Sequence, residues 1–527
     1  MLSQPIQTVL QQDLDKKTVL SISAAAAITV TVSAIIRHYC TYRRSVTDKA
    51  PIVSYKFPII GSTLDYYKDT ARFCKETAEK HGPVFQMHFQ GELVKVVGAG
   101  YADQIFTNPN MSFVTSAKKF IDLEPLASAY KKTKARLPET AFFDIIRNDI
   151  NTNLKFYTPQ VYRQSLILAD ELFGNLDGPR EFPDLHALSR KFVARATGTT
   201  LLGPDLVNSN NTELLNSFEN AAEDGLKTML PGPLRVLFPW YNNLYKRFMF
   251  PRYRCLKRHI QIIRRHIEPK VREEYALLHS NKERDLTKRD VMQHVIHKYM
   301  STFDVDSACD CLTGWMLGMM FVAILTTSAS LTGMLIFLAR YPEYIPELLQ
   351  EQQEALKAEG FAGLKECDQI MTPAVLKHLV KLDSFIREVL RYSSHEITHP
   401  HKHVGKEDII LSNGVVIRPG EEVYINLWHV HHDPATQDGM DDLTTFQPFR
   451  FVGHDKQVTK AGKDYLAFGM GRHACPGRWF AIHEIKVMLS ILIRRYKISL
   501  VDSESASKSL SGIRVRIEPH LDYMRSE

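Results

Sequence analysis

Of seven cysteines, one stands in a setting suited to chemistry. Phe468-Gly469-Met470-Gly471-Arg472-His473-Ala474-Cys475-Pro476-Gly477 is a glycine-rich run that ends on a cysteine. Behind it, Trp479, Ile482, Ile485, Leu489, Leu492 and Ile493 recur near helical period, which predicts a helix from about Pro476. A free thiol titrates near ~8.5. At a helix N-terminus, backbone N–H groups and the positive end of the dipole stabilise the thiolate. Such a thiolate is a metal ligand, and coordination would fix its charge. Gly469, Gly471 and Gly477 allow tight turns and close backbone approach to a flat macrocycle. Those turns also aim N–H groups at the sulfur, which tunes a bound metal. A packing cysteine after a turn needs no such company, whereas Phe-x-x-Gly-x-x-x-Cys-x-Gly fixes four residues at set spacing.

The other cysteines, Cys40, Cys74, Cys255, Cys309, Cys311 and Cys367, are sparse and form no C-x-x-C pair. That excludes zinc ribbons and thioredoxin-like redox sites. An odd count in so long a chain also argues against a disulfide-stapled secreted fold.

The Cys475 segment resembles the heme-binding loop of the cytochrome P-450 family, and FGMGRHACPGRWFA is very similar to the version in fungal microsomal members. The resemblance implies heme b as cofactor, with Cys475 as the axial ligand of its iron. Phe468 would shield the thiolate. His473 would face a heme propionate, at a position where many members carry Arg.

Three further motifs stand at family distances. Glu388 and Arg391, in LDSFIREVLRYSS, share a helical face at i and i+3. Phe446-Gln447-Pro448-Phe449-Arg450-Phe451 follows, after His432-Asp433-Pro434. The resemblance implies a buried network of Glu388, Arg391 and Arg450 that braces the cysteine loop. The third motif lies in an apolar run that predicts a buried helix from about Phe303 to Ala339, ended before Pro342. Mid-helix Thr hydroxyls are often satisfied by the carbonyl four residues back. In the family, Val322-Ala323-Ile324-Leu325-Thr326-Thr327 aligns with the oxygen-activation motif. Ala323 would leave room for dioxygen, and Thr326, with Thr327 beside it, would serve in proton delivery.

The chain departs from the pattern in places. Leu325 stands where an acid is usual, and Val322 replaces a small residue. Proton delivery would rest on Thr326, Thr327 and water. A Trp-x-x-x-Arg helix that grips a propionate is missing, since the tryptophans are Trp240, Trp315, Trp428 and Trp479. Lys131, Lys132, Lys134, Arg136 and Arg147 stand as alternatives. One of His401, Lys402 or His403 would approach a propionate. The cluster His395, His399, His401 and His403 falls on extended chain without a cysteine, which disfavours zinc. Val322, Ala323, Leu325, Ile397 and Thr398 would border the substrate.

These parts need a large frame. The 527 residues carry no Pro/Gly/Ser-rich linker and no solenoid repeat. Thr18 to Ile36 is uncharged, and as a helix it would span about 28 Å against a hydrocarbon core of about 30 Å. Lys16 and Lys17 precede it, while Arg37, Arg43, Arg44 and Lys49 come after it, which orients the catalytic domain to the cytosol. The expected organisation is a lead (1–17), a transmembrane anchor (18–36), a linker (37–56) and a catalytic domain (57–527). The expected fold is mainly α with small β-sheets, an α+β cytochrome P-450 fold behind one transmembrane helix. A strand pair with alternating Val84, Gln86, His88 and Leu93, Lys95, Val97 opens the domain, and a second hairpin turns at Asn413-Gly414.

Net charge is +7, from 66 basic against 59 acidic residues, which suits an acidic protein partner or an anionic membrane surface. No concentrated basic stripe or reading motif for nucleic acid is present. The resemblance implies an endoplasmic-reticulum monooxygenase, monomeric. NADPH–cytochrome P-450 reductase would supply electrons, with cytochrome b5 as a second donor, and dioxygen would be split at the heme. Lys460, Lys463, Arg472 and Arg478 would meet the reductase. The expected substrate is a lipophilic small molecule, a steroid or terpenoid hydroxylated in secondary metabolism, with fatty acids as the alternative. A heme-thiolate isomerase or dehydratase that needs no reductase, and a heme-binding protein without turnover, are the rival classes.

Overall fold

The computed structural model describes residues 49–56, 60–120, 136–138, 140–174, 178–229, 254–278, 290–362, 370–501 and 513–520. The expected anchor and its lead lie outside the described residues, as do Lys131, Lys132 and Lys134.

Helices dominate, and three small sheets flank them. The helices that position the candidate residues are α1 (Thr70–His81), α2 (Leu154–Phe173), α3 (Leu185–Leu202), α4 (Thr212–Met229), α5 (Arg254–Leu278), α6 (Val305–Arg340), α7 (Val380–Tyr392) and α8 (Arg478–Arg495). The strands are β1 (Val84–Phe89), β2 (Glu92–Val97), β3 (Met111–Ser112), β4 (Arg180–Phe182), β5 (Ile397–His403), β6 (Ile409–Ile410), β7 (Val416–Ile417), β8 (Glu422–Asn426), β9 (Tyr496–Leu500) and β10 (Val515–Pro519).

The largest sheet has the order β1-β2-β8-β5-β3. Its first pair is the expected one, with Val84 opposite Val97, Gln86 opposite Lys95 and His88 opposite Leu93. The polar members are buried with partners: Gln86 donates to the Ala50 carbonyl at 2.9 Å, and Lys95 meets Glu421 at 2.6 Å. The Asn413-Gly414 hairpin is the small β6–β7 pair, and Gly414 takes φ +80° at its turn. That left-handed conformation costs glycine little.

Helix α6 is the axis of the molecule. It begins two residues later than expected, because the Asp304 carboxylate caps it by accepting the Ser307 N–H at 2.9 Å. It is long and apolar enough to cross a membrane, yet it is mostly buried in protein. It packs on α3, α4, α5, α7 and α8. An apolar surface on nearly every side requires neighbours on nearly every side.

Helix α7 is two-faced. Phe385, Ile386 and Val389 enter the core, while Asp383, Ser384, Arg387, Glu388 and Arg391 hold the following chain. Glu388 and Arg391 are 0% exposed. Arg391 Nε donates to Glu388 Oε2 at 2.7 Å and Nη2 to Oε1 at 2.9 Å. Arg391 Nη1 donates to the carbonyls of His431 and Leu443, each at 3.0 Å. Arg450 Nε reaches Glu388 Oε1 at 3.2 Å, and its other nitrogens hold the Asp441, Asp442 and Thr445 carbonyls. Glu388 also accepts the Gln447 N–H at 3.1 Å. Every donor in this group is satisfied, the condition under which buried charges are tolerated.

Glu388→Gln keeps the shape and removes the one negative charge between two guanidiniums. It is expected to destabilise the fold by about 3–5 kcal/mol, measured as a shift in denaturant midpoint. A change within about 0.5 kcal/mol would show that this network carries little of the fold.

Candidate active site

Cys475 lies at the end of a short turn, Gly471–His473, and three residues before α8. The helix starts at Arg478, so Pro476 precedes it rather than opening it. Gly469 and Gly471 adopt φ +65° and +62°. A Cβ on Gly469 would stand 3.3 Å from the His473 carbonyl oxygen and 3.4 Å from Phe106, so the turn is closed to larger residues. The Cys475 N–H donates to the Phe468 carbonyl at 2.8 Å, which folds the loop back on itself. Phe468 is partly buried against the main core.

The sulfur keeps accessible surface although protein crowds it. Burial pushes the thiol above its ordinary range. The N–H groups of Gly477 and Arg478 and the Arg478 guanidinium pull the other way. The N–H groups act in the expected direction, and desolvation is the larger influence.

The histidine-rich strand β5 is interrupted between Thr398 and His401, and His399 takes φ 48°. His401 packs edge-on to His473 with ring centroids 5.3 Å apart. His401 Nδ1 pairs with the His399 carbonyl, but its Nε2 and both nitrogens of His403 are buried with no partner among the described residues. Burial lowers the His401 pKa to about 4. His473 is also pushed down, by burial and then by Arg472, whose Nε donates to His473 Nε2 at 3.0 Å. No cluster of His, Cys, Asp or Glu that could hold a metal ion occurs among the described residues.

A second wall of the loop comes from the segment 141–153. Ile145–Ile150 forms a π turn between an α-helical turn and a 3₁₀ turn. Such turns recur at functional sites. Asn151 Nδ2 donates to the Pro476 carbonyl at 2.9 Å, and a Cβ placed on Gly477 would lie 3.9 Å from Ile146. Arg147 on this turn lies near enough to Arg478 to disfavour its charge. Of the alternative cations, Arg147 therefore flanks the cysteine loop, while Arg136 is exposed.

On α6, Val322 is 38% exposed, and Thr326 and Ala329 are exposed too. Ala323 and Ser330 are partly open, while Phe321, Ile324, Thr327 and Ser328 are buried. Positions 322, 326 and 329 share one face at helical spacing. Thr326 donates to the Val322 carbonyl at 2.8 Å, the back-bond expected of a mid-helix threonine. Leu325 packs against the main core. Ile397 is buried in a small apolar cluster, and the Tyr66 hydroxyl accepts its N–H at 3.1 Å. Thr398 is partly buried beside it.

Several loop supports escaped the sequence reading. Leu466 donates its N–H to His431 Nε2 at 3.0 Å and accepts at its carbonyl from His399 Nε2 at 2.9 Å. A lone histidine in sequence carries no sign of which distant carbonyl it will meet. The basic residues near the loop also have local partners. Lys460 pairs with Asp455, Arg472 holds the Asn108, Pro109 and Met111 carbonyls, and Arg478 holds those of Thr459 and Cys475. The Arg478 guanidinium also lies 3.4 Å from the centroid of Trp479, which is 41% exposed.

These groups fit a flat iron macrocycle. A sulfur sits among N–H groups, two glycines flatten the turn beside it, and unpartnered buried imidazole nitrogens suit the carboxylates at a macrocycle's rim.

The family model described as "Cytochrome P450" matches residues 51–521. Cytochrome P450 monooxygenase 151 of Postia placenta is 24% identical over 482 residues, covering 87% of this chain and 88% of that one. Cytochrome P450 monooxygenase bsc11 of Alternaria brassicicola is 25% identical over 455 residues, covering 84% and 82%. The retinoic acid-bound cyanobacterial CYP120A1 has the same fold, with a TM-score of 0.61 at 18% identity over 90% of this chain and all 100% of its own. The match over nearly the whole chain makes this chain a member of the cytochrome P450 family, a heme-iron oxidoreductase that incorporates oxygen from O2.

Proposed function

We propose that the chain is a heme-thiolate monooxygenase that hydroxylates a lipophilic small molecule, a steroid or terpenoid, with Cys475 as the axial ligand of heme b. The observation that carries this reading is the Cys475 sulfur, accessible yet crowded, with the N–H groups of Gly477 and Arg478 directed to it at the start of a buried helix.

When bound, the heme iron supplies dioxygen activation, driven by electrons passed from NADPH through a cytochrome P-450 reductase, with cytochrome b5 as a second donor. The chain's own residues prepare that chemistry. Cys475 would hold the iron as a thiolate, and the N–H groups of Gly477 and Arg478 would stabilise the sulfur's charge. Phe468, packed beside the loop, limits water near the sulfur. His401, His403, His473 and Arg147 hold the macrocycle's carboxylates. Val322 and Ala323 border the substrate on the open stripe of α6, with Ile397 and Thr398 at its edge. Thr326 exchanges its bond to the Val322 carbonyl for one into that space, where it holds a proton for the reaction. Leu325 has no proton to give, so Thr326, Thr327 and ordered water carry delivery. The uncharged segment 18–36 holds the domain at the endoplasmic-reticulum membrane, where lipophilic substrates concentrate.

Cys475→Ser is expected to lose the thiolate-type spectrum of the reduced CO complex. Retention of that spectrum would sink the ligand assignment. Thr326→Ala is expected to keep consuming NADPH while product formed per NADPH falls by about tenfold or more. An unchanged ratio removes Thr326 from proton delivery, and product formed without NADPH or reductase would favour the isomerase class. Steroids and terpenoids titrated against the Soret band should include binders that are then turned over. Binding confined to fatty acids would reassign the substrate.

A further inference from the structure

We propose that Arg387, together with Asp383 one turn before it, is a positioning residue for the sulfur loop: it clamps residues 457–464 to α7 and so sets where Cys475 sits. This rests on the reading of Cys475 as the heme ligand.

Arg387 is buried, and its guanidinium lies 3.9 Å from the Tyr465 ring centroid and 4.8 Å from that of Phe451. Nη1 donates to the Gln457 carbonyl at 2.8 Å and the Lys460 carbonyl at 3.1 Å. Nη2 donates to Asp464 Oδ2 at 3.2 Å, and Lys456 reaches the same oxygen at 2.9 Å. Asp383 Oδ2 accepts the Val458 N–H at 2.8 Å, and its Oδ1 lies 2.6 Å from Lys486 Nζ on α8. The loop is therefore tied to one helix at both ends. Its entry is held by Arg387 and Asp383. Its exit, α8, is held by Lys486 on the same Asp383.

The clamp reaches the sulfur in short steps. Tyr465 lies under Arg387, and its ring meets Phe468 edge-on at 6.4 Å. The Phe468 carbonyl accepts the Cys475 N–H. The Glu388 network grips 431, 441–447 and 450, and none of its bonds falls on 457–464. The two braces thus hold different stretches of chain and share no hydrogen bond. A planar fork serves two carbonyls and a carboxylate at once between aromatic faces, which a lysine ammonium does not.

The test compares Arg387→Met and Arg387→Lys with Arg195→Met in the full-length heme-loaded enzyme. Arg195 is a buried arginine on α3, paired with Glu171 at 3.0 Å. Three quantities are read: amide hydrogen exchange over 457–466, the fraction of reduced CO complex with the thiolate-type spectrum, and the melting temperature. Arg387→Met is expected to raise exchange over 457–466 by about tenfold or more and to lose most of the thiolate-type fraction. Arg387→Lys should recover part of both. Arg195→Met should lower the melting temperature and leave both at wild-type values. The proposal is overturned if exchange over 457–466 is unchanged, or if the spectral loss tracks melting temperature equally at both sites. Should Arg387→Met not fold, Asp464→Asn removes one partner only. It is expected to raise exchange over 457–466, and an unchanged pattern there also overturns the proposal. Cys475→Ser separates the two readings, because a thiolate-type spectrum that survives it defeats the ligand assignment while the exchange result still judges the clamp.

Discussion

The structure hangs on the polar face of one helix. Glu388 brings a single carboxylate between two guanidiniums where water is excluded, and the chain beyond Arg391 is placed by the bonds these groups make. In low dielectric, a charge without its partner costs several kcal/mol, so the arrangement is close to all-or-none. The arginines direct their remaining donors to backbone carbonyls rather than to side chains. That choice turns an ion pair into a template for irregular chain. A segment with no regular secondary structure has no ladder to fix its path, and here a helix fixes it instead.

The site shows the same economy. The chemistry of the sulfur depends on its proton, and burial and N–H donation act on that proton in opposite directions. Neither the helix start nor the apolar surround alone sets the outcome.

Much of this was legible in the residues. The family resemblance marked Glu388 with Arg391, and spacing marked Cys475, the glycines and the buried central helix, because each of these is a local pattern. Its bounds moved by one or two residues, since Asp304 caps what the apolar run left open. The rest depended on contacts made far along the chain. Arg387 stands beside Glu388 in sequence, yet only the fold says that it faces the chain ahead of the sulfur. Arg147 stood among several cations in the sequence, and only the fold brings its turn, through Asn151 and Pro476, beside the cysteine loop. The carbonyl partners of Arg472 and Arg478 could not be read from the sequence, because backbone carbonyls have no letter.

The five-stranded sheet carries a consequence for how the molecule is made. Its strands β1, β2 and β3 come from the first part of the chain, but β8 and β5 lie between β2 and β3. Roughly three hundred residues separate the halves, a separation that slows closure because loop entropy is lost before the pairing rewards it. During synthesis the early hairpin must wait with an open edge. The sheet closes after α7 has emerged and before the cysteine has. The pairing that completes this sheet is therefore among the slower steps of folding, and until it forms the early hairpin lacks its neighbour.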